Sequence, residues 1–147
     1  MFLGGRNLYL IGMMGSGKSA TGPLIAQKIG YSFIDADLVL ESVVKKSINQ
    51  IFKEDGENYF RDIESEVLQE IGQRHSLVVA TGGGVVTRSQ NWGVLHQGIV
   101  IWLDLKQEKL IERLQNDSNK RPLLKANNPF LELKKLYEIR KPLYQEC

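Results

Sequence analysis

The chain has 147 residues, 42% of them hydrophobic and 24% charged, the make-up of one ordinary globular domain around a single core. Nineteen basic residues against seventeen acidic ones leave a net charge of +2, too even a balance for the basic stripe that binding a nucleic-acid backbone demands. A lone cysteine, Cys147, excludes an internal disulfide, and His75 and His96 lie outside any zinc-ligand spacing; no leader pattern precedes the first apolar run and none is long enough to span a bilayer, so the expectation is a cytoplasmic protein with no membrane partner.

Apolar runs alternate with helical patterns along the chain. Asn7–Ile11 predicts a strand and Lys18–Ile29 a helix; Ser32–Ile34 and Asp37–Lys45 repeat the pair, as do Leu77–Ala80 with about Val86–Gln97 and Ile99–Leu103 with Gln107–Leu114. This alternation indicates βαβ units and a parallel sheet, and the consecutive apolar residues of "LVVA" and "IVIWL" predict strands covered on both faces. A helix at about Asn58–Ile71 is read from apolar residues three and four apart, as an insertion between the second and third strands. The polar segment "QNDSNKRPLLKANNP" predicts a mobile loop before a last helix at about Phe130–Tyr144.

Between the first strand and the first helix stands "GMMGSGKS", a complete GxxxxGK[ST] phosphate loop in the context that makes the motif specific. Its glycines let successive N–H groups of Gly15, Ser16 and Gly17 turn into one concavity at the helix N-terminus, Lys18 would reach the β and γ phosphates of ATP, and the Ser19 hydroxyl would face Mg²⁺. An acidic partner for the metal is sought in two places. Asp104 closes "IVIWLD" as a generic Walker B carboxylate, or caps the helix near Lys106; Asp35 and Asp37 of "SFIDAD" would project to one side of an extended segment, one toward the metal and one toward a substrate hydroxyl, unless Asp37 caps the helix that follows.

These residues, with "ATGGGVV", "FRDIE", "RPLL" and "RKPLY", resemble the shikimate kinase family from about Asn7 to Tyr144. The resemblance implies a single nucleoside-monophosphate-kinase-like α/β domain over 1–147 with a P-loop three-layer fold and a parallel sheet of order 2-3-1-4-5. It implies a substrate-binding insertion at about 36–72 and a lid at about 115–128. It also implies Mg²⁺-dependent transfer of the ATP γ-phosphate to the 3-hydroxyl of shikimate by a monomer. Asp35 is implied to assist Mg²⁺ in place of an acidic Walker B, and Asp37 to hold the shikimate hydroxyls and accept the proton. Arg61 and Arg140 match the carboxylate-binding arginines, Gly83 and Gly84 the backbone donors, and Phe52 and Phe60 the pocket walls. Arg121 matches the lid arginine, and Arg113 is a weaker match for stacking on adenine. Glu57 and Glu64, four before and three after Arg61, are spaced to hold its side chain on a helix.

Three features depart from the pattern. Ala20, next to Ser19 in the nucleotide site, lacks the usual threonine hydroxyl, a loss of about 0.5–1.5 kcal/mol. Pro23 removes a helical N–H bond toward Ser19, so a kink is expected that bears on the Ser19 geometry. The chain stops at "RKPLYQEC", before the family's fifth strand and final helix, which carry part of the adenine loop. Two rival functions share the motif: a gluconate-type kinase, and a silent nucleotide-binding paralogue acting through a partner.

Overall fold

Successive side chains of an extended strand point to opposite faces, so four apolar residues in a row need cover on both. The computed structural model, which describes residues 3–106, 108–110, 112 and 129–147, provides that cover for the central strands. In β1 (Leu8–Ile11), Leu8 and Leu10 enter one core with Val78, Ala26 and Tyr31, while Tyr9 and Ile11 enter another with Val79, Leu68 and Leu133. Helix α1 (Lys18–Ile29) covers the first core. The second core lies beneath α2 (Ala36–Val44), α3 (Ile48–Glu54), α4 (Glu57–Gly72), α5 (Ser89–Leu95) and α6 (Pro129–Glu146).

Strands β2 (Ser32–Asp35), β3 (Leu77–Ala80) and β4 (Ile99–Trp102) complete an all-parallel sheet of order β2-β3-β1-β4. Leu10 and Asp35 both register with Ala80, so the strand ends align and deliver three following loops to one rim of the sheet. That rim, at the carboxyl ends of parallel strands, is where open α/β sheets bind ligands.

Several elements differ from the sequence reading. Strand β3 is buried throughout, whereas β4 is half-buried along its length and, among the described residues, pairs with β1 alone. The stretch expected as one helix at Val86–Gln97 divides into a 3-10 turn, Val85–Thr87, and α5. Arg88 between them is extended (φ −111°, ψ 124°) and sends its guanidinium to Asp62 and the Asn58 carbonyl of α4. Helix α1 continues through Pro23, which lies on the exposed side, where the helix loses one N–H donor away from the core. One residue earlier, Gly22 lies against the Phe33 ring, where a β-carbon would collide, and this lets α1 approach β2 closely.

Helix α3 has no counterpart in the sequence reading, although "SINQ" announces it. Ser47 Oγ accepts from the Gln50 N–H while Gln50 Oε1 accepts from the Ser47 N–H, a reciprocal capping box at distances of 3.2 and 3.1 Å. The short helix presents Phe52 to the Phe60 ring of α4, with centroids 4.8 Å apart. Replacing Ser47 with alanine is expected to destabilise the protein by about 1 kcal/mol, the usual worth of an N-cap hydroxyl, measured as a lowered urea midpoint at unchanged slope.

Candidate active site

Gly17, at φ 99°, takes a left-handed conformation that most side chains disfavour, and it starts α1 without a side-chain cap or an acidic residue in the first turn. The amides at the start of α1 therefore present a positive helix end to the rim. Lys18 is buried, with its ammonium donating to the Gly12 and Met13 carbonyls across the mouth of the loop. The buried Ser16 hydroxyl has no hydrogen-bond partner among the described residues. Amides, a helix N-terminus and a lysine around one hollow form a site for a polyphosphate.

Asp35 divides its carboxylate between two tasks. Its Oδ1 accepts from the Asp37 and Leu38 N–H groups at 3.0 and 3.3 Å, capping α2, and its Oδ2 accepts from Ser19 Oγ at 2.7 Å. The cap is thus Asp35 and not Asp37, and the pair does not share an extended segment: the strand ends where the cap forms, which puts Asp37 in the first helical turn. Both carboxylates still line the phosphate-loop cleft, of volume ≈ 210 Å³, together with Met14 to Ala20, Thr81 and Gly83. Pro23 has not displaced Ser19 from Asp35.

The donor set bears on a metal. Among the described residues no group of three or more His, Cys, Asp or Glu is placed to hold an ion alone. Ser19 and Asp35 offer two adjacent oxygens at the loop's edge, which fits a hard divalent cation that completes its shell with phosphate oxygens and water. Asp104 lies outside the cleft and accepts from the Tyr137 hydroxyl at 3.0 Å, an interaction between distant segments that local sequence does not announce.

Behind the cleft, three glycines leave room for four charged side chains. A β-carbon on Gly82 would lie 2.6 Å from Glu64 Oε2 and 3.0 Å from Asp37 Oδ1; one on Gly83 would lie 3.1 Å from an Arg140 nitrogen; one on Gly84 would collide with the Arg61 guanidinium. Arg61 is buried, paired with Glu64 at 2.9 Å and more loosely with Glu57 at 3.7 Å, and its guanidinium carbon sits 5.0 Å above the Phe60 ring. Phe60 is a buried core residue and Phe52 is partly buried against that core.

Arg140, also buried, has an Nε without a partner among the described residues, and burial lowers its pKa, with the nearby Arg61 charge acting in the same direction. The two guanidiniums meet Glu64 and Asp37 at the glycine strip, and the unpartnered Arg140 Nε leaves a spare donor, an arrangement that suits an anion.

Tyr144, the last residue of "RKPLY", had no role of its own in the sequence reading. Its hydroxyl donates to the Gly83 carbonyl, lies 3.7 Å from Met13 Sδ and is also met by the Arg140 guanidinium, and burial pushes its pKa up to about 12. The arginine-to-tyrosine spacing of four, one helical turn, was the available signal. Arg113 and Arg121, with the lid expected at about 115–128, lie outside the described residues.

Fold and site together define a P-loop phosphotransferase: a parallel sheet with a phosphate-binding loop, a metal-suited oxygen pair, and an acid–arginine pocket beside it. A family model described as shikimate kinase matches residues 14–147. Curated relatives include two shikimate kinases: that of Prochlorococcus marinus (strain NATL2A) is 58% identical over 98% of this chain and 73% of its own length, and that of Synechococcus sp. (strain CC9902) is 59% identical over 99% and 76%. Among solved structures, shikimate kinase from Acinetobacter baumannii in complex with shikimate is 40% identical with a TM-score of 0.93, covering 99% of this chain and 81% of that one. A gluconokinase from Sinorhizobium meliloti 1021, covering 91% of this chain and 74% of that one, is 21% identical with a TM-score of 0.55, a likeness of fold alone. The chain belongs to the shikimate kinase family, whose members are ATP-dependent kinases acting on an alcohol group.

The glycine contacts yield a test of the pocket. Gly84→Ala is expected to displace Arg61 and weaken capture of the carboxylated substrate by about tenfold or more, while nucleotide affinity changes little. Separate titrations of the two ligands check this.

Proposed function

We propose that this chain transfers the γ-phosphoryl group of ATP to the 3-hydroxyl of shikimate, giving shikimate 3-phosphate and ADP, through the residues brought together at the sheet rim. The observation that carries the reading is the buried Arg61–Glu64–Arg140 cluster beside Asp37 and the glycine strip, since it matches a molecule with a carboxylate at one end and hydroxyls at the other.

Arg61 and Arg140 hold the substrate carboxylate through forked donors, helped by the Gly83 and Gly84 N–H groups, while Phe52 and Phe60 stiffen the wall. Asp37 orients the 3-hydroxyl and accepts its proton as the oxygen attacks the γ-phosphorus. The bond to the bridging oxygen breaks, and the electron pair leaves on ADP. The loop amides of Gly15, Ser16 and Gly17 cradle the phosphates, and Lys18 moves from its carbonyl contacts to the transferring group. Mg²⁺, held by Ser19 with assistance from Asp35, would neutralise charge on the β and γ phosphates. Segment 36–72 serves as the substrate-binding insertion and about 115–128 as the lid, with Arg121 stabilising charge on the phosphoryl group and Arg113 stacking on adenine. We further propose a monomer working in the cytoplasm; among the described residues no helix is long and apolar enough to cross a membrane.

A coupled ADP-release assay with shikimate and gluconate in parallel tests the reading: turnover with shikimate supports it, and turnover with gluconate alone, or with neither, overturns it. Asp37→Asn is expected to retain ATP binding and to lose at least about a hundredfold in kcat; near-normal turnover removes Asp37 from proton transfer. Arg61→Lys is expected to raise the KM for shikimate by about tenfold with a smaller effect on kcat, because an ammonium cannot form the two parallel bonds of a guanidinium.

A further inference from the structure

A run of three glycines lets backbones and charges approach, but it also leaves the intervening peptides free to rotate, since no β-carbon restricts them. A site that uses N–H groups from such a strip needs its peptide planes fixed by something else.

The carbonyls show what fixes them. Gly82 O accepts from the Val85 N–H at 3.1 Å, and Gly84 O accepts from the Thr87 N–H at 3.1 Å and its hydroxyl at 2.7 Å. These are local bonds of the 3-10 turn, whose own carbonyls at Val85 and Val86 are held by Asn91 and Trp92 of α5 at 2.9 and 2.8 Å. Gly83 O is different: its partner is the Tyr144 hydroxyl, 61 residues away on α6. In a trans peptide the C=O and the following N–H point in opposite directions, and the chain has no cis bonds among the described residues. The atom that holds the Gly83 carbonyl therefore sets the direction of the Gly84 N–H.

We propose that the Tyr144 hydroxyl is a positioning group that locks the Gly83–Gly84 peptide plane and thereby aims the Gly84 N–H at the substrate. The inference rests on the reading that this amide binds shikimate. The tyrosine is well placed to hold a backbone atom still: it is 2% exposed and stacked on Trp102 at the end of β4, with centroids 5.7 Å apart and planes 27° apart. It stands one helical turn beyond Arg140 on the same face of α6, so one helix carries both an arginine of the pocket and the lock on its backbone donor.

The test is Tyr144→Phe, which keeps the ring and removes the hydroxyl, followed by steady-state kinetics and by amide spectra of ¹⁵N-glycine-labelled protein without substrate. Losing one buried hydrogen bond corresponds to a change of about two- to tenfold, and the expected result is a rise of that size in the KM for shikimate with the KM for ATP within about twofold. The Gly84 amide should at the same time shift or broaden by exchange. Trp102→Phe loosens the same packing but leaves the hydroxyl, and should lower thermal stability while both KM values hold.

An unchanged Gly84 amide in Tyr144→Phe overturns the lock. A mobile amide with an unchanged KM overturns its part in substrate binding, and an equal rise in shikimate KM in Trp102→Phe assigns the effect to packing and overturns the inference as well. Failure of the parent protein to phosphorylate shikimate would instead sink the functional reading, and the amide spectra distinguish that case because they need no substrate.

Discussion

Steric exclusion at the glycine strip after β3 sets the dimensions of the pocket, because the positions where three β-carbons would stand are where Glu64 and Asp37, Arg140, and Arg61 come closest to the backbone. The side chains arrive from three separate helices, α2, α4 and α6, each anchored in the same core. Any side chain on the strip would force one charged group away, and in a close-packed interior that group has no second position of equal quality. The fold thus converts missing atoms into a binding site.

Electrostatics then imposes its own condition. Burying two guanidiniums near each other is unfavourable, and Glu64 compensates for only part of it through its short pair with Arg61. Burial lowers the pKa of Arg140, with the Arg61 charge acting in the same direction. A substrate carboxylate accepting from the unpartnered Arg140 Nε would satisfy a donor that the cluster leaves open. On the neighbouring strand end Asp35 resolves a different competition. It caps α2 with one oxygen and meets Ser19 with the other, so that one side chain fixes both the entry of a helix and the direction of a metal-suited oxygen.

Much of this was legible from local pattern. The phosphate loop, the order of strands and helices, the i−4 and i+3 partners of Arg61 and the proximity of Asp35 to Ser19 all follow from short-range spacing or from recognised motifs. The misses have physical causes of other kinds. Helix α3 was overlooked because seven residues give little periodicity, although its capping box was written in the sequence. Arg88 broke an apparently continuous helix because its partner, Asp62, is on another element. Asp104 meets a tyrosine from α6, outside the cleft.

The sequence by itself determined the phosphate loop and the parallel α/β class, because these depend on backbone conformations and spacings within a few turns of chain, whereas the acid–arginine pocket entered only through the family resemblance. Only the tertiary structure decided which aspartate caps α2 and which stands in its first turn, that the P-loop helix passes Pro23 without a break, that β4 is half-covered, and that Tyr144 closes on Gly83. Those outcomes are contacts between groups far apart in sequence, where the winner is set by which partner the packed core brings within hydrogen-bonding distance.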